Sequence, residues 1–211
     1  VIGYGMVGTA ITKAFKEIGH SVYVYDIKIP ESNLEGTLSS DVIYICVPTK
    51  KLENGSCDTS IVEEIVEKLS KYDYKGTVAI KSTTEPGTTA RLQGKFKNLI
   101  LAHVPEFLRE RCGYEDFTEN HNVLIVGTVH KSAYLDIVKS HGLYPKTVTQ
   151  VHPSESELAK YYSNSYKALR TIFSTTYGKL SEHLGVNYDN VLGAFLLENV
   201  GEEEYLGYSK E

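Results

Sequence analysis

A glycine-rich turn that directly follows a short apolar strand constrains this chain most. Val1-Ile2 leads into Gly3-Tyr4-Gly5-Met6-Val7-Gly8, and Thr9 to Ile18 continues with apolar residues at helical spacing. The glycines permit a tight turn, a close approach of a pyrophosphate to the backbone, and close packing of the helix on the strand. The helix N-terminus also favours a bound phosphate. The pattern therefore predicts a strand–turn–helix unit that binds a dinucleotide.

An acidic residue, Asp26, ends the next predicted strand, Ser21 to Tyr25. A carboxylate at this place accepts hydrogen bonds from the adenosine ribose and repels a 2′-phosphate, so the sequence favours NAD over NADP. The nearby Lys28 weakens this preference slightly. We therefore expect NAD as the cofactor.

Alternating strands and helices follow. Asp41 opens a continuous apolar run, Val42 to Val47, of the kind that is buried on both faces of a parallel sheet. The other predicted strands are Thr77 to Ile80, Leu99 to Val104, Asn122 to Gly127 and Thr147 to Val151, and the predicted helices are Ser60 to Leu69 and Tyr134 to Ser140. The alternation predicts an α/β fold with a doubly wound Rossmann-type parallel sheet, whose ligands bind at the carboxyl ends of the strands.

The segment between Asp26 and Asp41 departs from this pattern because no helix fits it. A crossover between parallel strands normally contains a helix. We expect either a bare loop at this place or residues that are missing from the chain.

A long helix is predicted after Val151. Ser154 followed by Glu157 has the form of a capping box, and the stretch from Glu155 to Leu184 contains no proline and a single glycine, Gly178. Its length exceeds that of a helix flanking a sheet and indicates the start of a second domain. We assign residues 1–151 to an NAD-binding Rossmann-like domain and residues 152–211 to an incomplete central helical (dimerisation) domain.

Composition excludes several classes of protein. The 211 residues carry 22 Lys and Arg against 27 Asp and Glu, a net charge of −5, and no basic run, which argues against a nucleic-acid partner. No apolar stretch is long enough to span a membrane. The three cysteines, Cys46, Cys57 and Cys112, do not suggest a disulfide framework, so we expect a cytoplasmic protein. No metal site is predicted.

Polar side chains follow two predicted strands and lie on one face of the long helix. A hydroxyl-rich stretch from Lys81 to Thr89 follows one strand, and the stretch from His103 to Glu110 follows the next. Lys160 and Asn164 lie four residues apart on the helix, so an ammonium and an amide point the same way, which suits the stabilisation of an oxyanion.

Together these motifs closely resemble the UDP-glucose/GDP-mannose 6-dehydrogenase family. The resemblance rests on the glycine turn with Asp26, the Ile45-Cys46-Val47-Pro48-Thr49 strand end, Lys81-Ser82-Thr83 with Pro86-Gly87-Thr88-Thr89, Pro105-Glu106-Phe107-Leu108-Arg109-Glu110, and Glu157-Leu158-Ala159-Lys160 with Asn164. Their order and approximate spacing agree along nearly the whole chain. The strings that begin at Pro105 and Glu157 are the specific ones.

The resemblance implies an enzyme that oxidises the primary alcohol of a nucleotide sugar to a carboxylate in two NAD-dependent steps, through an aldehyde and a thioester. UDP-glucose is the favoured substrate, and the product would be UDP-glucuronate for polysaccharide biosynthesis. The expected assembly is a homodimer that pairs through residues near Leu169 to Leu184. Lys160 would stabilise the oxyanion with Asn164, Glu106 would transfer a proton, and Thr83 would orient the water.

The resemblance also assigns residues to binding. The cofactor residues are Gly3, Gly5, Met6, Val7, Gly8, Asp26, Lys28, Val47, Pro48, Thr49 and Thr83. The substrate residues are Phe107, Leu108, Arg109, Glu110, Lys160, Asn164 and Tyr166.

The family's nucleophilic cysteine lies downstream of the long helix in a Gly-rich stretch that ends Cys-Leu-Pro-Lys-Asp, and this sequence contains no such stretch. None of the three cysteines matches it. Two alternatives therefore stay open: a naturally short, catalytically silent relative that binds NAD or a nucleotide sugar as a regulatory or scaffold module, and a smaller hydroxyacid dehydrogenase. The string that begins at Pro105 disfavours the latter.

Overall fold

The computed structural model describes residues 1–109 and 111–198. The chain divides into two compact units, the first from Val1 to Tyr162 and the second beginning at Ser163. The first unit holds the sheet. The division of residues 1–151 and 152–211 into two functional domains stays a prediction.

Strands and helices alternate through the first unit. The strands are β1 (Val42–Ile45), β2 (Thr77–Ile80), β3 (Ile100–His103), β4 (Val123–Gly127) and β5 (Thr147–Val151). The helices are α1 (Met6–Glu17), α2 (Ser60–Lys71), α3 (Thr88–Lys95), α4 (Gly113–Thr118), α5 (Lys131–His141), α6 (Pro153–Leu184) and α7 (Tyr188–Glu198). Helix α6 begins in the first unit and continues into the second.

The five strands form one sheet in chain order, β1-β2-β3-β4-β5. Ile2 adds to its edge through parallel bridges to Ile45 and Tyr25. The predicted strand Ser21 to Tyr25 is thus reduced to a bridge at Tyr25. All strand pairs are parallel except β3 and β4, which meet antiparallel at His103 and Gly127 alone. The predicted Rossmann-type fold class is confirmed, with this one antiparallel contact in a mostly parallel sheet.

Apolar side chains fill both faces of the sheet. On one face, Ile43, Ile45, Val78 and Ile80 pack in a core that includes residues of α2 and α3. On the other face, alternate strand residues such as Tyr44 and Ala79 pack in a core with residues of α1, α4 and α5. Burial on both faces explains why the strands are continuous apolar runs in the sequence.

The segment from Asp26 to Asp41 is a loop, which was one of the two expectations for it. It contains a single 3₁₀ turn, Glu35–Thr37. Side chains replace helical hydrogen bonds there: Ser32 Oγ donates to the carbonyl of Asp26 at 3.0 Å, and Asn33 Oδ1 accepts from the Gly36 N–H at 2.8 Å.

The predicted capping box at the start of α6 is wrong. The helix already begins at Pro153, and Glu155 Oε2 accepts the hydrogen bond from the His152 N–H at 2.7 Å. The carboxylate of Glu157 instead accepts hydrogen bonds from α3 and from the loop before α3. Donors that are distant in the sequence, and not the N–H groups at the start of α6, therefore bind the Glu157 carboxylate.

Two histidines, one fully and one partly buried, pack among aromatic rings on the second face of the sheet. The His141 ring is fully buried and lies 5.4 Å from the Phe117 ring and 5.7 Å from the His121 ring. Burial lowers the pKa of His121 to about 4, and it also lowers the pKa of His141 well below its ordinary value of 6.5. Both imidazoles are therefore neutral in the folded state at pH 7.

These buried histidines make stability depend on pH. Unfolded His121 takes up a proton as pH falls through 6.5, whereas the folded form resists protonation until about pH 4. Stability is therefore lost as pH falls across this window, and His121 accounts for about 2 kcal/mol of that loss at pH 5. Denaturant unfolding at pH 7 and pH 5 should show a smaller loss for His121→Phe than for the unsubstituted protein. His183→Phe, at an exposed position, is the control, and equal losses in all three proteins would contradict the expectation.

Candidate active site

A cleft of about 590 Å³ opens at the carboxyl edge of the strands. It has the volume of an ordinary cofactor site. The glycine turn, Asp26 and the ends of β1 and β2 form its walls, and Glu106 lies at one end. The predicted cofactor residues that line it are Gly3, Gly5, Met6, Val7, Asp26, Lys28, Val47, Pro48, Thr49 and Thr83. Gly8 is the predicted cofactor residue that does not line the cleft.

The glycine turn leaves room for a phosphate group. Gly3 has a φ of 92°, and a Cβ there would lie 2.7 Å from the carbonyl oxygen of Cys46. Gly8 packs α1 against the turn, because its Cβ would lie 1.9 Å from the Gly3 oxygen. A Cβ on Gly5 would meet open space. No side chain caps the first turn of α1, so its N–H groups are available to a pyrophosphate, and the turn fits a dinucleotide.

Two backbone N–H groups hold the carboxylate of Asp26 in the cleft wall. Oδ2 accepts from the Tyr4 N–H at 2.6 Å, and Oδ1 accepts from the Lys28 N–H at 2.8 Å. These bonds, that of Tyr4 first, lower the pKa of Asp26, so its side chain is an anion. An anion here attracts ribose hydroxyls and repels an additional phosphate.

The ends of β1 and β2 are tied together beside the glycine turn. Thr49 Oγ1 donates to the carbonyl of Thr83 at 2.8 Å, and Ser82 Oγ donates to the carbonyl of Val47 at 2.7 Å. These bonds fix two stretches of cleft wall relative to each other. Thr83 thereby lies in the same cleft as Glu106.

A buried ion pair joins Lys160 of α6 to Glu106. The Lys160 Nζ lies 3.0 Å from Glu106 Oε1 and also donates to the Glu106 carbonyl. The two side chains are 6% and 15% exposed. The Leu108 N–H donates to the other carboxylate oxygen at 2.7 Å. A buried pair of this kind offers both a cation for an oxyanion and a carboxylate for proton transfer.

The carboxylate of Glu157 anchors the beginning of α6. It is fully buried and accepts from the Gly87 N–H at 2.6 Å, from the Thr89 N–H at 2.8 Å, and from the Thr84 and Thr89 hydroxyls. Gly87 and Thr89 belong to the N-terminus of α3, where an anion is favoured. Because Glu157 precedes Lys160 by one helical turn, this anchor also fixes the turn that carries Lys160.

The predicted substrate residues are only partly brought together. The Phe107 ring lies 5.4 Å from the Lys160 Nζ, and Leu108 packs against the core. Arg109 forms an ion pair with Asp116 at 2.7 Å. Glu110 lies outside the described residues. Asn164 and Tyr166 lie in the second unit, so their predicted roles are not placed relative to the cleft.

Sequence reasoning missed three residues of this region. Glu157 and Lys81 belong to motifs of the family resemblance but receive no site role from the sequence, and Asp116 belongs to no motif. The available signal for Lys81 was a cation directly after the apolar strand Thr77 to Ile80, whereas Glu157 lies among other polar residues and gave no such signal. No group of three metal-ligating side chains is found in the described part of the chain.

The fold and the cleft define an NAD-binding domain of a Rossmann-type dehydrogenase. Residues 30–147, more than half of the chain, match the model of the UDP-glucose/GDP-mannose dehydrogenase family, NAD binding domain. The chain belongs to this family, and the predicted cofactor, NAD, is confirmed with it. No helix of the described residues has the length and apolar character needed to cross a membrane.

Named relatives agree with the family. UDP-glucose 6-dehydrogenase of Rickettsia prowazekii is 32% identical over 178 residues, which cover 79% of this chain and 39% of that enzyme. A UDP-glucose 6-dehydrogenase of Haloferax volcanii is 24% identical over an alignment of 258 positions, gaps included, which covers 98% of this chain and 58% of that enzyme. A UDP-glucose dehydrogenase structure from Pyrobaculum islandicum superposes with a TM-score of 0.83 at 26% identity, covering 93% of this chain and 55% of that one. The chain thus spans about two fifths to three fifths of these proteins.

The anchoring role of Glu157 is testable by substitution. Glu157→Gln removes the buried charge and places an amide N–H₂ against the backbone donors, so it should lower the free energy of unfolding by about 2 to 4 kcal/mol. Glu155→Gln, two residues earlier at an exposed position, should have a much smaller effect. Urea titrations of the two variants and the unsubstituted protein measure the difference. Equal stability of the two variants would show that the Glu157 contacts do not hold α6.

Proposed function

We propose that this chain is the cofactor-binding part of an enzyme that oxidises the primary alcohol of a nucleotide sugar, with UDP-glucose as the substrate. The product is the corresponding carboxylate, UDP-glucuronate. The buried Lys160–Glu106 pair at the end of the cofactor cleft is the observation that carries this proposal. NAD supplies the acceptor for the hydride that leaves the alcohol carbon.

Each residue of the pair has a chemical task in this proposal. Lys160 stabilises the alkoxide, and later the oxyanion, with its ammonium, and Asn164 is the second donor. Glu106 moves a proton to and from the reacting oxygen or water. Thr83, whose backbone is fixed by Thr49, orients that water.

The second oxidation in this proposal passes through a thioester and needs a cysteine thiolate. Cys46 lines the cleft, but burial raises the pKa of its thiol to about 12, so it is a poor nucleophile at pH 7. We place the nucleophile in a part of a longer protein that this chain does not include, because the chain spans 39% and 58% of the relatives named UDP-glucose 6-dehydrogenase. All three cysteines of this chain are free thiols, in keeping with a cytoplasmic enzyme.

A catalytically silent relative is the weaker alternative. Burying Lys160 and Glu106 costs desolvation energy, and a module that only binds NAD has no need of that pair. The relatives described above carry the names of enzymes.

The proposal is tested in a protein that contains this chain together with a downstream cysteine. That protein should form two NADH for each UDP-glucose, with NADP a far weaker substitute for NAD. Lys160→Ala should slow NADH formation by about 10² to 10³, because one oxyanion donor is lost. Glu106→Gln should instead let a covalent sugar adduct accumulate, which intact-protein mass spectrometry detects.

Lys71→Ala, on the exposed side of α2, is the control that should keep the unsubstituted rate. Full activity of Lys160→Ala would remove the basis of the proposal. Binding of NAD and UDP-glucose with no NADH formed would favour the silent relative. Acid formation by the 211-residue chain alone would contradict the assignment of the nucleophile to a downstream cysteine.

We also propose that two copies pair through the second unit. Leu169, Ile172, Phe173, Leu180 and Leu184 are exposed apolar side chains on that part of α6. Apolar surface of this extent on a helix usually marks a protein interface. Sedimentation at micromolar concentration should give twice the chain mass, and Ile172→Glu should reduce it to one chain mass. Lys167→Glu, at an exposed position on the opposite face of α6, is the control. A single-chain mass for the unsubstituted protein would contradict the pairing.

A further inference from the structure

A second buried lysine lies in the wall of the cofactor cleft. Lys81 follows β2 directly, is 4% exposed, and lines the cleft with Cys46 and Glu106. Its Nζ lies 5.8 Å from the centre of the Tyr44 ring and 5.7 Å from that of the Phe117 ring. The ammonium therefore sits on the edge between an aromatic core and the space where the cofactor binds.

This ammonium lacks a partner of its own. Among residues 1–109 and 111–198, the Lys81 Nζ has neither a hydrogen-bond acceptor nor an ion-pair partner. Two aromatic faces compensate only a small part of the cost of burying a cation. Burial lowers the pKa of Lys81 to about 8, which still leaves the side chain mostly charged at pH 7.

Nearby charges do not neutralise Lys81. Cys46 and Glu106 interact favourably with its ammonium, and Lys160 interacts unfavourably. The Cys46 thiol carries no charge at pH 7, because burial raises its pKa to about 12. The Glu106 carboxylate is already held by the Lys160 ammonium and the Leu108 N–H. Lys81, Lys160 and Glu106 together leave one excess positive charge at this end of the cleft.

The nicotinamide of NAD belongs at the same end. Asp26 suits the adenosine ribose and the glycine turn suits the pyrophosphate, so the other half of the dinucleotide extends toward Glu106 and Lys160. The nicotinamide ring carries a positive charge in NAD⁺ and none in NADH. An unneutralised ammonium beside the ring therefore repels the oxidised cofactor and weakens its binding, and it has no such effect on the reduced cofactor.

We propose that Lys81 is an electrostatic determinant of the cofactor's redox form: its ammonium weakens the binding of NAD⁺ relative to NADH and so favours transfer of electrons from the substrate to the cofactor. This inference rests on the proposed function, because it assumes that NAD accepts electrons in this cleft. It assigns Lys81 no covalent step and no proton transfer. A lysine that served only to pack against Tyr44 and Phe117 would affect both cofactor forms alike.

The test compares dissociation constants for NAD⁺ and NADH, measured by calorimetric titration at pH 7. Lys81→Met keeps the length of the side chain and removes the charge, so it should lower the ratio of the NAD⁺ constant to the NADH constant by roughly a factor of ten. Lys81→Arg keeps the charge and should keep the ratio near that of the unsubstituted protein. A cooperative thermal unfolding transition is required of each variant to establish that it is folded.

Lys68→Met is the matched control. Lys68 lines the same cleft but is half exposed and paired with Glu64 at 2.6 Å. Lys68→Met should change the dissociation constants for NAD⁺ and NADH by the same factor. A Lys81→Met ratio equal to that of the unsubstituted protein, or an equal change in Lys81→Arg and Lys81→Met, would overturn the inference while leaving the proposed function intact. Failure of the unsubstituted protein to bind either dinucleotide would overturn both.

Discussion

The buried carboxylate of Glu157 is the contact on which the arrangement of the candidate active site depends. An anion without access to water is tolerated only where several donors surround it, and the start of α3 supplies them through Gly87, Thr89 and Thr84. These bonds join α6 to the loop that contains Thr83. Lys160, one turn further along α6, is thereby brought to Glu106 in the loop that follows β3.

The parallel sheet explains why residues from distant parts of the sequence meet. β1, β2 and β3 run in the same direction and in register, so the segments after each of them lie along one edge. Thr49, Thr83 and Glu106 follow these three strands and line one cleft. The glycine turn enters the same cleft because Ile2 pairs with Ile45 beside β1. Residues that are far apart in the sequence therefore line one cleft, and Glu106, the partner of Lys160, is one of them.

Charge is distributed unevenly along this cleft. At one end, Asp26 is an anion held by backbone N–H groups. At the other end, two buried lysines face one carboxylate. An apolar environment strengthens each of these interactions, so a single unpaired ammonium matters more here than on the surface. This distribution of charge fits a dinucleotide. The ribose hydroxyls of its adenosine half need a hydrogen-bond acceptor, and the charge of its other half changes on reduction.

The sequence by itself determined the fold class, the strand ends and the residues of the cofactor cleft, because strand burial and glycine turns depend on local patterns of residue size and polarity. Its motifs also predicted roles for Lys160 and Glu106. Tertiary structure alone decided that these two side chains form a buried pair and that Glu157 binds the start of α3 instead of capping α6. It alone also decided that Lys81 has no counter-ion among residues 1–109 and 111–198. Such pairings depend on which donors and acceptors distant segments bring within about 3 Å, and neither periodicity nor composition encodes that distance.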